Sequence, residues 1–177
     1  MDIFIELHAD LIQQGPGCEE STLRALDAIP DMPISPRILD IGCGPGRQTI
    51  TLAKQTGGIV IAVDTHQAFL VEVDRRAKSG NLSHRVTAEN RSMDDMRFED
   101  GSFDLIWSES AIYIIGFEEG LANWKRLIKS GGYLAVSEAC WLTDNPPDKA
   151  AIYWKKAYPA MKTIAENVDI IRDCGYR

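Results

Sequence analysis

The chain has 177 residues, 45 % of them hydrophobic, and a formal net charge of −7. That length and composition suit one soluble globular domain with a single core, and the acidic balance argues against a nucleic-acid substrate, which would need a basic surface to displace counterions. No apolar stretch is long enough to span a bilayer, and the N-terminus shows no basic region followed by a long apolar segment. Cys18, Cys43, Cys140 and Cys174 form no C-x-x-C pair, and His8, His66 and His84 are scattered. No metal is therefore expected, and reduced thiols in a cytoplasmic protein are the default.

In chain order, Phe4, Leu7, His8 and Leu11 fall on one helical stripe ahead of Gln14-Gly15-Pro16-Gly17. Pro36 then introduces a short apolar strand at Ile38, Leu39 and Ile41, which runs into Gly42, Gly44 and Gly46. Glycines at such a turn let the chain bend sharply and a ligand approach the backbone, although tight packing alone would also call for them. A helix follows on Thr49, Leu52, Ala53 and Thr56 and stops at Gly57-Gly58. The continuous apolar run of residues 59–63 predicts a second strand buried on both faces, and it ends in Asp64. Asp64 lies about 20 residues beyond the first glycine, the spacing at which a carboxylate reaches ribose hydroxyls. A helix N-cap is the plainer reading of the same residue.

Farther on, Phe69, Val73 and Ala77 predict a helix that ends at Ser79-Gly80-Asn81. Residues 85–88 alternate as an edge strand would, Leu121, Trp124 and Ile128 make another helical stripe, and residues 133–138 a further strand. Residues 143–148, with Pro146-Pro147, read as a loop, and Met161, Ile164, Ala165 and Val168 as a last amphipathic stripe. Strands alternating with helices imply a doubly wound α/β fold, whose right-handed crossovers put every strand C-terminus on one edge. A ligand belongs at that edge. The residues there are 42–46, 64–66, 90–95, 108–113 and 138–141.

The loop lacks the dinucleotide pattern G-x-G-x-x-G, since Arg47 stands at the last glycine's place and Asp40 adds a carboxylate before it. That charge suits a ligand with a cationic amine or sulfonium better than a pyrophosphate and disfavours a nicotinamide-dependent oxidoreductase. Leu39-Asp40-Ile41-Gly42-Cys43-Gly44-Pro45-Gly46 resembles the first motif of the class I S-adenosyl-L-methionine-dependent methyltransferases. Residues 98–107 and 127–136 look like the family's turn into its fourth strand and its Gly-Gly turn into the fifth. Gln14-Gly15-Pro16-Gly17 is similar to a segment of its small-molecule type.

The resemblance implies a Rossmann-like, mostly parallel sheet in one domain, with residues 1–34 as an N-terminal helical cap or lid and 35–177 as the cofactor-binding core. It further implies methyl transfer to a small-molecule acceptor, with no nucleic acid and no membrane involved. The cofactor, S-adenosyl-L-methionine, would meet Asp40, Gly42, Cys43, Gly44 and Gly46 at the loop. Asp64 would take the ribose, with Thr65 and His66 beside it. Ser92, Met93 and Asp94 would border the adenine, although the commoner pattern has an acidic residue at the place of Ser92, and Ser108 would complete the site. Glu109 and Tyr113, with His66 behind them, are the candidate catalytic groups should the acceptor have to lose a proton. The plainer readings are loop ordering for Glu109, a packing wall for Tyr113 and a helix start for His66. Glu138 and Trp141 would line the acceptor pocket. Family members continue into a sixth and an antiparallel seventh strand that this sequence does not reach, so the core is expected to lack them. The open edge would invite a second copy or another chain, and a domain that binds the cofactor without turnover is the alternative function.

Overall fold

The computed structural model describes residue 11 and residues 13–177, so Phe4, Leu7 and His8 of the predicted N-terminal stripe lie outside the described residues. Five parallel strands set its frame: β1 (Arg37–Ile41), β2 (Ile59–Asp64), β3 (Val86–Asn90), β4 (Phe103–Ser108) and β5 (Ile128–Val136), in the order β3-β2-β1-β4-β5. Helix α1 (Glu19–Asp27) precedes the sheet, while α2 (Arg47–Thr56), α3 (Gln67–Ser79) and α4 (Phe117–Lys125) join its strands. This is the expected α/β, Rossmann-like arrangement.

The central strands read as unbroken apolar runs because both of their faces are covered. Side chains alternate across a strand, so Ile38, Val60, Ala62, Leu105 and Trp107 pack on one side with Leu52 of α2 and Val73 and Ala77 of α3. Leu39, Ile41, Ile61, Val63 and Ile106 pack on the other with Leu121 and Trp124 of α4. Helix α2 ends where Gly57 adopts φ 64°, the left-handed stop predicted from the Gly-Gly pair.

The parallel registers Ile41↔Val63, Asp64↔Asn90, Asp40↔Trp107 and Ser108↔Val136 bring all the strand C-termini to one edge. The chain builds outward from β1 to β3 and then crosses to β4 on the other side of β1. The switch point therefore lies between the ends of β1 and β4.

Two boundaries differ from expectation. The stripe Leu121, Trp124, Ile128 breaks because α4 ends at Lys125 and Ile128 already pairs with Phe103 in the sheet. The amides of Gly101 and Phe103 donate to the carbonyls of Arg126 and Leu127 (2.8 and 3.0 Å), which pulls that stretch into strand pairing. Past β5, a small parallel pair, β6 (Cys140–Trp141) with β7 (Lys162–Thr163), brackets a loop and the helix α5 (Asp148–Ala157). Helix α6 (Ile164–Asp173) starts at a capping box in which Thr163 and Glu166 exchange hydrogen bonds. Its inward face is Asn167, Ile170 and Ile171, with Cys174 just past its end, rather than the predicted Met161, Ile164, Ala165 and Val168, and Ile164 is exposed. The Tyr176 hydroxyl donating to the Leu121 carbonyl (2.9 Å) and Lys125 Nζ donating to the Cys174 carbonyl (2.7 Å) fix that rotation.

Candidate active site

Gly42, Gly44 and Gly46 all have positive φ (68, 52 and 83°), where a side chain is strained. Packing alone also requires two of them. A Cβ on Gly42 would stand 2.5 Å from the Ala111 Cβ, and one on Gly46 2.6 Å from Val73 Cγ2. On Gly44 it would meet only Gln14 Cγ, at 3.7 Å. Gly44 is thus the open point of the loop, and the tight-packing reading accounts for the other two. The amides of Gly42 and Cys43 donate to the Val63 carbonyl (2.9 and 3.0 Å) and anchor the turn on β2. The Cys43 side chain is buried in the core, and its backbone forms the loop.

Asp40 faces away from that surface. It is fully buried, accepting hydrogen bonds from Thr49 Oγ1 (2.5 Å) and Gln48 Nε2 (3.3 Å), while Gln48 also donates to the Cys43 carbonyl (3.0 Å). Burial pushes its carboxyl up to about 7 against the pull of those two hydrogen bonds. The full negative charge assigned to it from sequence is therefore not presented to a ligand. Asp40 braces the loop from beneath.

Asp64 ties two turns together, and the N-cap position expected for it falls to His66. Its Oδ2 accepts from the Gly44 amide (3.0 Å) and its Oδ1 from the His66 amide (2.9 Å), tying the open point of the glycine loop to the start of α3. His66 itself holds the N-cap position, with its ring edge-on to Phe69 at 4.6 Å, and Thr65 offers its carbonyl to Asn90 Nδ2 (3.2 Å). Beyond β3, Ser92 and Met93 are half-buried and Asp94 is exposed. The Met93 carbonyl accepts from Trp124 Nε1 (2.9 Å), and its methyl group comes within 3.5 Å of where a Gly42 Cβ would be. Met93 therefore borders the loop directly.

At the end of β4, Ser108 is buried and its hydroxyl has no partner. Glu109 is fully engaged: Oε1 accepts from Thr22 Oγ1 (2.6 Å) and Trp107 Nε1 (2.9 Å), and Oε2 from Arg47 Nη2 (2.7 Å). That is the geometry of a loop-ordering residue and not of a free base. Tyr113 is half exposed and stands edge-on to Tyr158, with ring centroids 5.9 Å apart. Residues 13–17 lie across this edge, where Ser110 Oγ donates to the Pro16 carbonyl (3.1 Å) and Gly15 packs so closely on Ser110 that a Cβ there would stand 2.5 Å from the Ser110 Cβ.

Sequence reasoning missed Arg47 as a structural hub. A cation at a helix N-terminus opposes the helix dipole, a local signal that it needs a partner, but the partners come from α1 and the β4 loop. Among the described residues, the buried side-chain polar atoms without a hydrogen-bond partner are Arg47 Nε and Nη1, Ser108 Oγ and Glu138 Oε1. All three residues sit at the C-terminal edge of the sheet. Two cavities, of about 360 and 450 Å³, lie farther along, against the segment after β5, and share Tyr158 as a wall. The glycine loop lines neither.

A methyltransferase-domain family matches residues 38–132, over half of the chain. Methyltransferase GfsG of Streptomyces halstedii is 29% identical over 109 residues, 61% of this chain and 39% of its own length. The 27-O-demethylrifamycin SV methyltransferase of Amycolatopsis mediterranei is 28% identical over 124 residues, 68% of this chain and 46% of its own. Phosphoethanolamine N-methyltransferase 2 of Haemonchus contortus, solved with S-adenosyl-L-methionine, superposes with a TM-score of 0.79 at 22% identity, covering 98% of this chain and 40% of that one. The chain spans about half or less of the length of these relatives. With the sheet order, the glycine turn and the acid after β2 in the places such a domain requires, the chain belongs to the class I S-adenosyl-L-methionine-dependent methyltransferase-domain family.

Proposed function

We propose that this domain holds S-adenosyl-L-methionine across the Gly42–Gly46 turn and transfers its methyl group to a small-molecule acceptor. The observation that carries this reading is the pairing of Asp64 with the Gly44 amide, which joins the open point of the loop to the acid that we assign to the ribose. Arg47 Nε and Nη1, buried beside the same loop without an acceptor, fit the ligand's carboxylate end, because unpaired buried donors cost about 1–3 kcal/mol each. Met93 would border the adenine, and Ser92 and Asp94 the rim of that pocket.

When bound, S-adenosyl-L-methionine supplies a methyl group already activated on a sulfonium, so the chain's task is positioning and exclusion of water. Asp64 fixes the ribose, Arg47 the far end, and residues 13–17 cover the loop. The net charge of −7 supports a small acceptor over a nucleic acid. Relatives named for a demethylrifamycin and for phosphoethanolamine are in keeping with a small acceptor as well.

Calorimetric titration with S-adenosyl-L-methionine, S-adenosylhomocysteine and NAD tests the reading. Binding of the first two is expected, and Asp64→Ala should weaken it by about 1–3 kcal/mol through loss of a charged hydrogen bond. Tight binding of NAD with no heat from the other two overturns it.

A further inference from the structure

Beyond the end of β5 the chain builds a second enclosure. The β6–β7 pair, in which Trp141 registers with Thr163, lines one side of it, and Trp154 of α5 with Tyr158 in the turn that follows lines another. The Tyr158 amide donates to the Trp154 carbonyl (2.7 Å) and the Met161 amide to the Tyr158 carbonyl (3.1 Å), which holds that wall in one tight turn. The space enclosed, about 360 Å³, is in the range of small-ligand pockets.

One segment connects this cavity to the glycine turn. A Cβ on Gly42 would stand 2.5 Å from the Ala111 Cβ, and Tyr113, two residues farther on, has its ring edge-on to Tyr158 at 5.9 Å. The cavity therefore adjoins the edge at which the methyl donor is placed.

Its lining names the occupant. Three aromatic side chains around one small space favour a flat ring, which they meet by offset stacking or edge-to-face contact. Trp154 is 36% exposed and α5 buries no residue of its own, so a ring seated there would gain the apolar burial that the helix lacks. The charged side chains of the lining are Asp144 and Lys155. A hydroxyl suits that pair, since its O–H donates to a carboxylate and its oxygen accepts from an ammonium, whereas a protonated amine would be repelled by Lys155.

We propose that this cavity binds the methyl acceptor and that the acceptor is a small aromatic hydroxyl compound, its ring held by Trp141, Trp154 and Tyr158. This rests on the methyl-transfer reading above. In balance, a lone pair of the phenolic oxygen forms the new bond to the methyl carbon, the donor's carbon–sulfur bond breaks with its electron pair kept by sulfur, and the phenolic proton leaves to water.

The test uses the whole chain, with S-adenosylhomocysteine for affinity measurements and methyl-labelled S-adenosyl-L-methionine for transfer. Phenol, catechol and naphthol are the probes, and cyclohexanol and ethanolamine their non-aromatic counterparts. Calorimetry should show the phenols binding about tenfold or more tighter than cyclohexanol. Hydrogen exchange of residues 148–157 should slow when they bind, and label should pass to their oxygen. Trp154→Ala should raise KM for the phenols about tenfold while cofactor affinity stays unchanged. Ile152→Ala, at a 72% exposed position outside the lining of both cavities, should alter neither quantity. Equal affinity for phenol and cyclohexanol, no transfer to any phenol with cofactor binding intact, or a Trp154→Ala enzyme with wild-type KM overturns the proposal. Failure of the wild-type chain to bind the cofactor overturns the underlying reading instead.

Discussion

Removing Glu109 should unfold this domain before it slows any chemistry. Arg47 and Glu109 side chains are only 11 and 12% exposed and meet at 2.7 Å, with Thr22 and Trp107 completing the carboxylate's hydrogen bonds. In Glu109→Ala the guanidinium, whose Nε and Nη1 already lack partners, loses its counter-charge as well. Stripping one partner from a buried ion pair costs about 3–5 kcal/mol, and the orphaned Trp107 N–H adds about 1 kcal/mol. With a urea slope of about 2 kcal/mol per molar, the midpoint followed by tryptophan fluorescence should fall by roughly 2–3 M. Arg47→Met combined with Glu109→Ala should recover much of that loss, because the uncompensated charge is gone. A Glu109→Ala protein with wild-type stability and intact cofactor affinity but no turnover would refute the reasoning and restore Glu109 as a catalytic base.

The loop glycines separate by the same logic. Gly46→Ala sets a Cβ against Val73 at positive φ and should destabilise by about 1–3 kcal/mol, whereas Gly44→Ala incurs mainly the backbone strain, about 1–2 kcal/mol, and should abolish calorimetric binding of S-adenosyl-L-methionine. Equal binding by wild type and Gly44→Ala would mean that no ligand approaches that point. Asp40 predicts a pH effect of definite sign. Its folded pKa, about 7, lies above the unfolded value, so its contribution to stability is fully present below about pH 4 and is lost as the pH rises through 7. Asp40→Asn should therefore gain on the wild type between pH 5 and pH 8 in urea melts, by an amount on the order of 1 kcal/mol or more; a difference that stays flat over that range would sink the assignment. After β2, Asp64→Asn keeps an acceptor for the Gly44 amide and should bind the cofactor more tightly than Asp64→Ala does, and the reverse order would separate Asp64 from the loop.

Much of the site was legible because it is local. Strand, glycines, helix, strand and acid follow one another within residues 37–64, and each of those signals is read from neighbours in the chain. What escaped depends on residues far apart in sequence. Gly42 is required by Ala111 and Gly46 by Val73, and Glu109 is claimed by Arg47, Trp107 and by Thr22, 87 positions away. The α4 stripe failed for a related reason, since the pull of β4 on residues 126–128 outweighs a helical periodicity that isolated sequence cannot weigh against it.

The sequence by itself determined a glycine turn after β1 and an acid after β2, because backbone conformation and strand order follow from local chemistry. Tertiary structure alone decided which charges are available there. Burial turns Asp40 inward and locks Glu109 to Arg47, and it leaves Oε1 of Glu138 without a partner. A carboxylate's role depends on what surrounds it in space, and these surroundings are assembled from segments that the linear chain keeps apart.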